Sequence, residues 1–208
     1  MPLIGAVADD LTGATTTGVL LARSKARTAV FFNEKAALKA KGVSDLDAIL
    51  INSNSRPLPP KAAQEYVTDA SKALKNMGVK YFSKRIDTTL SGGIGFEVDA
   101  ILNVVGDDAV AVVVPAMPQS KRILVGGYSV IDNVALIRTP VKEIYVPKFL
   151  AAQTQHKVGT VFLSDVLLYY REMMLLNPHS KHKEILEQKL LLSMQFQLKM
   201  SKKSLRHV

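Results

Sequence analysis

The chain has 208 residues, of which 48% are hydrophobic, so it is long enough to bury the core of one sizeable domain. It contains no cysteine, which excludes disulfides and thiolate metal sites and suits a reducing compartment. No apolar run reaches the length of a bilayer span, and the N-terminus lacks the pattern of a signal peptide. We therefore expect a soluble, cytoplasmic protein with no membrane partner.

The formal charge of +9 raises the question of a nucleic-acid binder. The C-terminal tail, residues 169–208, carries eight Lys or Arg against three Glu, which leaves a balance of only +4 for the other 168 residues. The basic character therefore belongs mostly to the tail and does not indicate one binding face. We expect no nucleic-acid partner.

The first strand and helix are predicted between residues 4 and 23. The run Ile4–Ala8 is apolar without helical spacing, which is typical of a buried strand, and Thr12 is predicted to cap a helix from about Gly13 to Arg23. Asp9 and Asp10 then follow the strand. Because ligands bind beyond the carboxyl ends of parallel strands, these two carboxylates suit sugar hydroxyls or a metal. The alternative is that one caps the helix and the other is solvated.

Strands and helices alternate along the rest of the chain. Predicted strands are Thr28–Phe32, Asp47–Ile51, Val79–Ser83 and Ala109–Val114, and predicted helices are Pro60–Asn76 and Phe96–Val105, with a short helix or loop at Lys35–Lys41. The run Ala109–Val114 is continuously apolar, as expected for a strand covered on both faces. The alternation predicts an α/β, Rossmann-like fold with a mostly parallel sheet and helices on both faces.

Polar side chains follow the predicted strands. In a parallel sheet they would lie along one edge, and they are Asp9, Asp10, Asn54, Arg56, Lys84, Asp87 and Arg122. Arg56 and Lys84 suit an acidic small molecule, since a guanidinium matches a carboxylate in two hydrogen bonds and an ammonium supplies a point charge. Asp10 and Asp87 could orient hydroxyls or act as a general base. The alternative for each basic residue is a solvated or structural salt bridge.

A glycine-rich segment, Gly92–Gly95, precedes a predicted helix and could present backbone N–H groups to an anion. It lacks the Lys-Ser/Thr of a Walker loop and the spacing of the dinucleotide fingerprint, so a tight turn is the alternative. The four histidines show no metal-ligand spacing. We predict no metal site and find no nucleophile triad.

Four motifs together resemble the N-terminal domain of the four-carbon acid sugar kinases, which include 3-oxo-tetronate, D-threonate and D-erythronate kinases. The motifs are ADDLTGA at 8–14, NSR at 54–56, KRIDTTLSGGIGFEVDA at 84–100 and PAMPQSKRILVGGYSV at 115–130. Their joint order and spacing make the resemblance specific. It covers about residues 3–168, which we predict to be a sugar-acid-binding domain.

The resemblance implies ATP-dependent transfer of phosphate to a terminal hydroxyl of a small sugar acid. In that family the N-terminal domain holds the sugar acid and a C-terminal domain holds ATP with Mg, so Asp9, Asp10, Arg56, Lys84 and Asp87 would line the substrate side. Asp10 and Asp87 are the candidate catalytic residues.

The ATP-binding domain is expected to be absent from this chain, which would then bind no cofactor and be inactive alone. It would need that domain in cis or in trans. The alternatives are a stand-alone sugar-acid binding module and a subunit completed by a separate ATP-binding chain.

Three positions depart from the family pattern. Thr16 stands where Asp is usual, Ser91 stands where the family has Arg, and the connection near Thr139–Lys142 is shorter. Loss of an acid and a cation from the expected pocket bears on which sugar acid is bound.

The resemblance stops at the tail, residues 169–208. One hypothesis is a shift of reading frame near Leu168, because an adjacent frame with permissive codons gives a family-like sequence. The alternative is an authentic helical extension, with an amphipathic pattern at Ile185, Leu186, Lys189 and Leu190.

Overall fold

Four parallel strands form the central sheet of the protein. The computed structural model describes residues 1–135, 142–176 and 200–201. The sheet has the order β2-β3-β1-β4, with β1 at Ile4–Ala8, β2 at Thr28–Phe31, β3 at Ala48–Asn52 and β4 at Tyr81–Arg85. The connecting helices are α1 at Leu11–Arg23, α2 at Glu34–Lys39, α3 at Pro60–Asn76 and α4 at Ile94–Val105.

Helices cover both faces of the sheet because side chains alternate along each strand. Val7 and Ile51 point to one face, where they pack with Leu74 of α3. Ala6 and Leu50 point to the other face, where α1 supplies Leu21. The predicted α/β fold with a mostly parallel sheet and helices on both faces is therefore confirmed.

Local signals set the ends of the helices. The side chain of Asp10 accepts a hydrogen bond from the N–H of Gly13 at 2.6 Å, so Asp10 caps α1 and the prediction that Thr12 does so is wrong. Pro60 occupies the first turn of α3, where its missing N–H costs nothing, and the predicted bounds Pro60–Asn76 are confirmed.

The predicted strand Val79–Ser83 begins and ends two residues too early. The strand β4 runs through Arg85, so Lys84 lies inside it and not in the following loop. Lys84 faces α4, where its Nζ forms a 2.7 Å ion pair with Glu97, and both side chains are 1% exposed. This buried pair fixes α4 against the edge strand of the sheet.

The prediction of a fully covered strand at Ala109–Val114 is wrong. Only Ala109–Val110 (β5) forms a strand, and it pairs antiparallel with Met200–Ser201 (β9) outside the main sheet. Val110 and Val112 are 37% and 39% exposed, whereas Ala111 and Val113 pack inward. A run of small and branched apolar residues indicates extended backbone, but here one of its two faces remains open to solvent.

A smaller unit packs against the far side of α4. It contains a three-stranded antiparallel sheet formed by β6 at Arg122–Val125, β7 at Tyr128–Ile131 and β8 at Val134–Ala135, followed by α5 at Val146–Ala151. Its Val146 and Leu150 share a core with Leu90, Ile94 and Val98. The loop before α4 and the helix itself are thus packed from both sides.

The segment after α5 is bound to α4 by side-chain hydrogen bonds. Gln153 accepts from the N–H of Gly95 at 2.9 Å, and the carboxylate of Asp99 accepts from the Thr154 hydroxyl at 2.5 Å and the Gln155 N–H at 2.9 Å. The chain then continues through exposed coil to α6 at Leu163–Leu176.

The tail is described only in part. Its first residues belong to α6 and residues 200–201 form β9, whereas the predicted amphipathic pattern at 185–190 and residues 139–141 of the shortened connection lie outside the described residues. Within the described part of the chain, no helix is both long and apolar enough to cross a membrane.

The Lys84–Glu97 pair generates a prediction about stability. Glu97→Leu should lower the free energy of unfolding by about 3–5 kcal/mol, because it leaves a buried ammonium without its counter-charge. The double variant Lys84→Met/Glu97→Leu should recover most of that loss, since it removes both charges and keeps apolar volume. Urea unfolding followed by circular dichroism measures both, and simple additivity of the Lys84→Met and Glu97→Leu effects would contradict the pairing.

Candidate functional site

An ion-paired cluster lies at the carboxyl ends of β1 and β3. Arg56 donates from Nε to Asp9 Oδ2 at 2.7 Å and from Nη2 to Asp9 Oδ1 at 3.0 Å. It also donates from Nη1 to Asp10 Oδ2 at 2.5 Å. The structure therefore brings together Asp9, Asp10 and Arg56, three of the predicted site residues, at the edge where open parallel sheets bind ligands.

Backbone contacts hold these side chains in place. The N–H of Ser53 donates to the carbonyl of Ala8 at 2.8 Å, and the N–H of Arg56 donates to the carbonyl of Asp9 at 3.3 Å. The loop after β3 is thus bound to the end of β1. Asn54 adopts a left-handed conformation with φ 50° at the tip of this loop and is exposed, so it lies beside the ion-paired cluster and not in it.

The charge of Arg56 is already matched by carboxylates. Burial alone would lower the pKa of Arg56, but its hydrogen bonds to Asp9 and the negative charges of Asp9, Asp10 and Asp87 outweigh burial and raise it. Three of its five N–H donors point at Asp9 and Asp10. Arg56 therefore orients the two aspartates and does not present a free fork to a ligand.

Lys84 lies beneath the cluster. Besides its ion pair with Glu97, its Nζ donates to the carbonyl of Arg85 at 2.7 Å and stands 3.9 Å from Asp9 Oδ1. Ser55 donates to the other oxygen of Glu97 at 2.7 Å. The expectation that Lys84 faces a ligand is not met, since its side chain is buried and its partners are protein groups.

The sequence reasoning missed Glu97 and Ser55. The available signal was an acid in the otherwise apolar helical run IGFEVDA, where a buried carboxylate needs a cation nearby. Both residues lie within the family-like motifs, yet neither directly follows a strand. Ser55 hydrogen-bonds to Glu97, and Glu97 pairs with Lys84, whose ammonium lies 3.9 Å from Asp9 Oδ1.

Asp87 follows β4 and is held in a tight turn. Its carboxylate accepts hydrogen bonds from the hydroxyl and the N–H of Thr89, and its carbonyl accepts from the N–H of Leu90 at 3.0 Å. Burial alone would raise the pKa of Asp87, but the Thr89 hydrogen bonds and the charges of Arg56 and Arg85 lower it. Asp87 is therefore ionised at neutral pH.

The loop after Asp87 closes over the cluster. Leu90 is buried and has φ 62°, a left-handed conformation that is costly for a branched side chain. Its packing in the core that α4 shares with Val146 and Leu150 holds it in this conformation. At Gly92, with φ 94°, a Cβ would lie 3.4 Å from Asp9 Oδ2. The glycine thus allows the loop to approach Asp9 closely.

Two positions that depart from the family pattern have different surroundings. Ser91 lies in the loop after Asp87, with its hydroxyl 2.9 Å from that of Thr89. Thr16 is exposed on α1. Only Ser91 therefore lies in the loop that borders the cluster.

Arg85 is a further cation that was not among the predicted site residues. It ends β4, pairs in register with Ala8, and lies so close to α1 that a Cβ at Gly13 would be 2.6 Å from its Nε. Its Nη1 is buried without a hydrogen-bond partner in the described part of the chain. The sequence signal was its position at the end of a strand, next to Lys84.

The structure restricts two groups that the sequence offers for binding an anion. Arg122 begins β6 of the separate antiparallel sheet, so it is not at the carboxyl end of a parallel strand. The N–H of Gly95, in the glycine-rich segment Gly92–Gly95, is bonded to Gln153. Of the seven residues predicted to converge, Arg122 lies in the separate sheet and Lys84 lies inside β4, beneath the edge. The other five follow the carboxyl ends of parallel strands, and they are Asp9, Asp10, Asn54, Arg56 and Asp87.

Among residues 1–135, 142–176 and 200–201 no group of three or more acidic, histidine or cysteine side chains could hold a metal ion. The glycine-rich segment lacks the lysine that a phosphate-binding loop carries, and one of its N–H groups is already used. What this edge offers is carboxylate acceptors and one unpaired guanidinium, which suit a small polar ligand.

Comparison with known proteins agrees with the motifs. The sequence model of the family described as "Sugar-binding N-terminal domain" matches residues 4–188, which extends past the limit of 168 read from the motifs. The D-erythronate kinase of Heliobacterium modesticaldum is 42% identical over 169 residues, which are 77% of this chain and 38% of the relative. The D-threonate kinase of Bordetella bronchiseptica is 34% identical over 168 residues, 76% of this chain and 42% of the relative.

A crystal structure from Bordetella bronchiseptica, a domain-swapped dimer with bound citrate, matches with a TM-score of 0.68 and 32% identity. The match covers 72% of this chain and 40% of that one. The chain thus spans about two fifths of the length of the curated relatives it matches. The predicted resemblance is confirmed: the chain belongs to the sugar-binding N-terminal domain family and corresponds to the N-terminal part of the four-carbon acid sugar kinases.

Proposed function

We propose that this chain binds a four-carbon sugar acid at the carboxyl ends of its parallel strands and supplies the substrate-holding part of a kinase. The observation that carries the proposal is the cluster of Asp9, Asp10 and Arg56, bordered by the Asp87 loop. The names of the relatives, D-erythronate kinase and D-threonate kinase, and the citrate bound in the Bordetella structure support an acidic, hydroxylated ligand.

The aspartates are proposed to orient the hydroxyl groups of the ligand. Each carboxylate oxygen can accept about two hydrogen bonds, so Asp9 and Asp10 retain acceptor capacity after binding Arg56. Asp87 is ionised and its pKa is below the usual range, which makes it a good hydrogen-bond acceptor and a weak general base. Asp10 and Asp87, the proposed catalytic residues, would therefore act first by positioning the hydroxyl that receives phosphate.

Phosphate transfer by this chain is proposed to need an ATP-binding part, in cis or in trans. Such transfer depends on positioning and on stabilising phosphate charge with a bound metal, and the described residues contain no group of three or more acidic, histidine or cysteine side chains that could hold a metal ion. A cytoplasmic location, where ATP and small sugar acids are both available, belongs to this proposal.

Binding is tested by titration calorimetry of the purified chain with D-erythronate and D-threonate. Asp10→Asn should weaken binding by about 10-fold or more, because it removes a charged acceptor while asparagine still caps the helix. Asp47→Asn is the matched control: Asp47 pairs with Arg27 at 2.9 Å at the opposite end of the sheet, where the hydrogen bonds from Arg27 lower the pKa of Asp47 to about 2. Absence of binding by the unaltered chain, or equal effects of both variants, would contradict the proposal.

The direction of the Asp87 pKa shift predicts how binding depends on pH. A lowered pKa in the folded protein means that the charge, and the stability it contributes, is present above about pH 4 and is lost as pH falls through the folded-state value. Affinity for D-erythronate should therefore stay constant from about pH 5.5 to pH 8. Calorimetry in buffers of equal ionic strength checks this, and a midpoint near pH 6 would be inconsistent with the role of Asp87.

A coupled assay of ATP consumption tests the need for an ATP-binding part. The purified chain with D-erythronate, ATP and Mg should show no turnover above that of a no-protein blank. Turnover by the chain alone would overturn this part of the proposal. If the purified chain binds the sugar acid and the source cell contains no ATP-binding partner for it, the alternative of a stand-alone binding module is favoured.

A further inference from the structure

We propose that Arg85 binds the carboxylate of the ligand and thereby selects α-hydroxy acids over neutral sugars. This inference rests on the proposed function and names the residue that gives the same site its preference for an acid. Neither Arg56 nor Lys84, the two cations expected to do so from the sequence, is free for that task.

The placement of Arg85 follows from the alternation of side chains along β4. Lys84 faces α4, so Arg85, the next residue, faces α1 on the other side of the sheet. Arg85 pairs in register with Ala8, immediately before Asp9 and Asp10. Its guanidinium therefore lies at the edge of the sheet that carries the ion-paired cluster.

Glycine at position 13 allows Arg85 to lie against the first turn of α1. A Cβ there would stand 2.6 Å from Nε and 2.7 Å from Cδ of Arg85, which real side chains do not tolerate. The same Cβ would stand 2.6 Å from Asp10 Oδ1. Arg85 and the capping carboxylate of Asp10 therefore border the same small space beside the helix.

Among the residues that the structure describes, the charge of Arg85 has no ion-pair partner. Its Nη1 is buried without a hydrogen bond, and within the described residues Arg85 forms no ion pair. Its charge is felt by Asp87, whose pKa it helps to lower. A buried, unsatisfied donor on a charged group is costly, and a bound anion would remove that cost.

The chemistry of the surrounding groups defines the ligand class. A planar guanidinium matches a carboxylate in two parallel hydrogen bonds, whereas Asp10 and Asp87 accept from hydroxyl groups. A carboxylate on Arg85 would place the adjacent carbons toward these aspartates. The arrangement thus suits a hydroxy acid whose carboxylate and hydroxyls are close together.

The test compares the acid with its own neutral amide, D-erythronate with D-erythronamide, by titration calorimetry on the full chain. The unaltered protein should prefer the acid by about 10- to 100-fold, as expected for a charge-assisted hydrogen-bonded pair. In Arg85→Gln the affinity for the acid should fall to that for the amide, and Arg85→Lys should recover part of the loss. Arg27→Gln, which alters an exposed arginine at the opposite end of the sheet, should change neither affinity.

Thermal unfolding separates this role from a structural one. Because Arg85 has no ion pair to lose, Arg85→Gln should not lower the unfolding temperature, whereas citrate should raise that of the unaltered protein and not that of the variant. A variant that binds D-erythronate as tightly as the unaltered protein, or that unfolds at a much lower temperature, would overturn the assignment of Arg85 and leave the proposed function intact. Absence of any binding or citrate protection in the unaltered protein would overturn both.

Discussion

The buried ion pair between Lys84 and Glu97 underlies the whole edge of the sheet. An isolated charge in the core is unstable, so each of these residues requires the other, and Asp9 lies within reach of the same ammonium. Asp9 in turn holds Arg56, Arg56 holds Asp10, and Asp10 caps α1. The helix on one face of the sheet and the helix on the other are thus connected through a series of alternating charges.

This arrangement decides which groups remain available to a ligand. Two of the three cations near the edge are used to hold carboxylates, and those carboxylates are fixed before any ligand arrives. Fixed acceptors cost no reorganisation on binding, which favours recognition of hydroxyls whose spacing matches them.

Much of the fold was readable from the sequence, because periodicity and turn residues act locally. The predicted bounds are correct within a residue or two for the strands Ile4–Ala8 and Ala48–Asn52 and for the helix Pro60–Asn76. The same holds for the residues expected at strand ends, which are Asp9, Asp10, Arg56 and Asp87. The pairing of strands and of buried charges could not be predicted in this way, because it depends on contacts between separate segments of the chain. The prediction of a strand at Ala109–Val114 failed because an apolar run does not show which neighbouring strand or helix covers it. Lys84 was misplaced because the predicted strand ended at Ser83, which put Lys84 in the following loop and not inside β4. Glu97 was missed because its partner Lys84 was placed in a loop and not in the strand that faces α4.

The hydrogen bonds of Gln153, Thr154 and Gln155 to α4 give that helix a second task besides covering the sheet. They hold the chain after α5 against α4, and residues 157–162 then continue as an exposed segment to α6. Asp99, which accepts two of these hydrogen bonds, stands two residues after Glu97 on the same helix. One helix therefore both supplies the buried carboxylate beneath the sheet edge and anchors the segment that leads to α6.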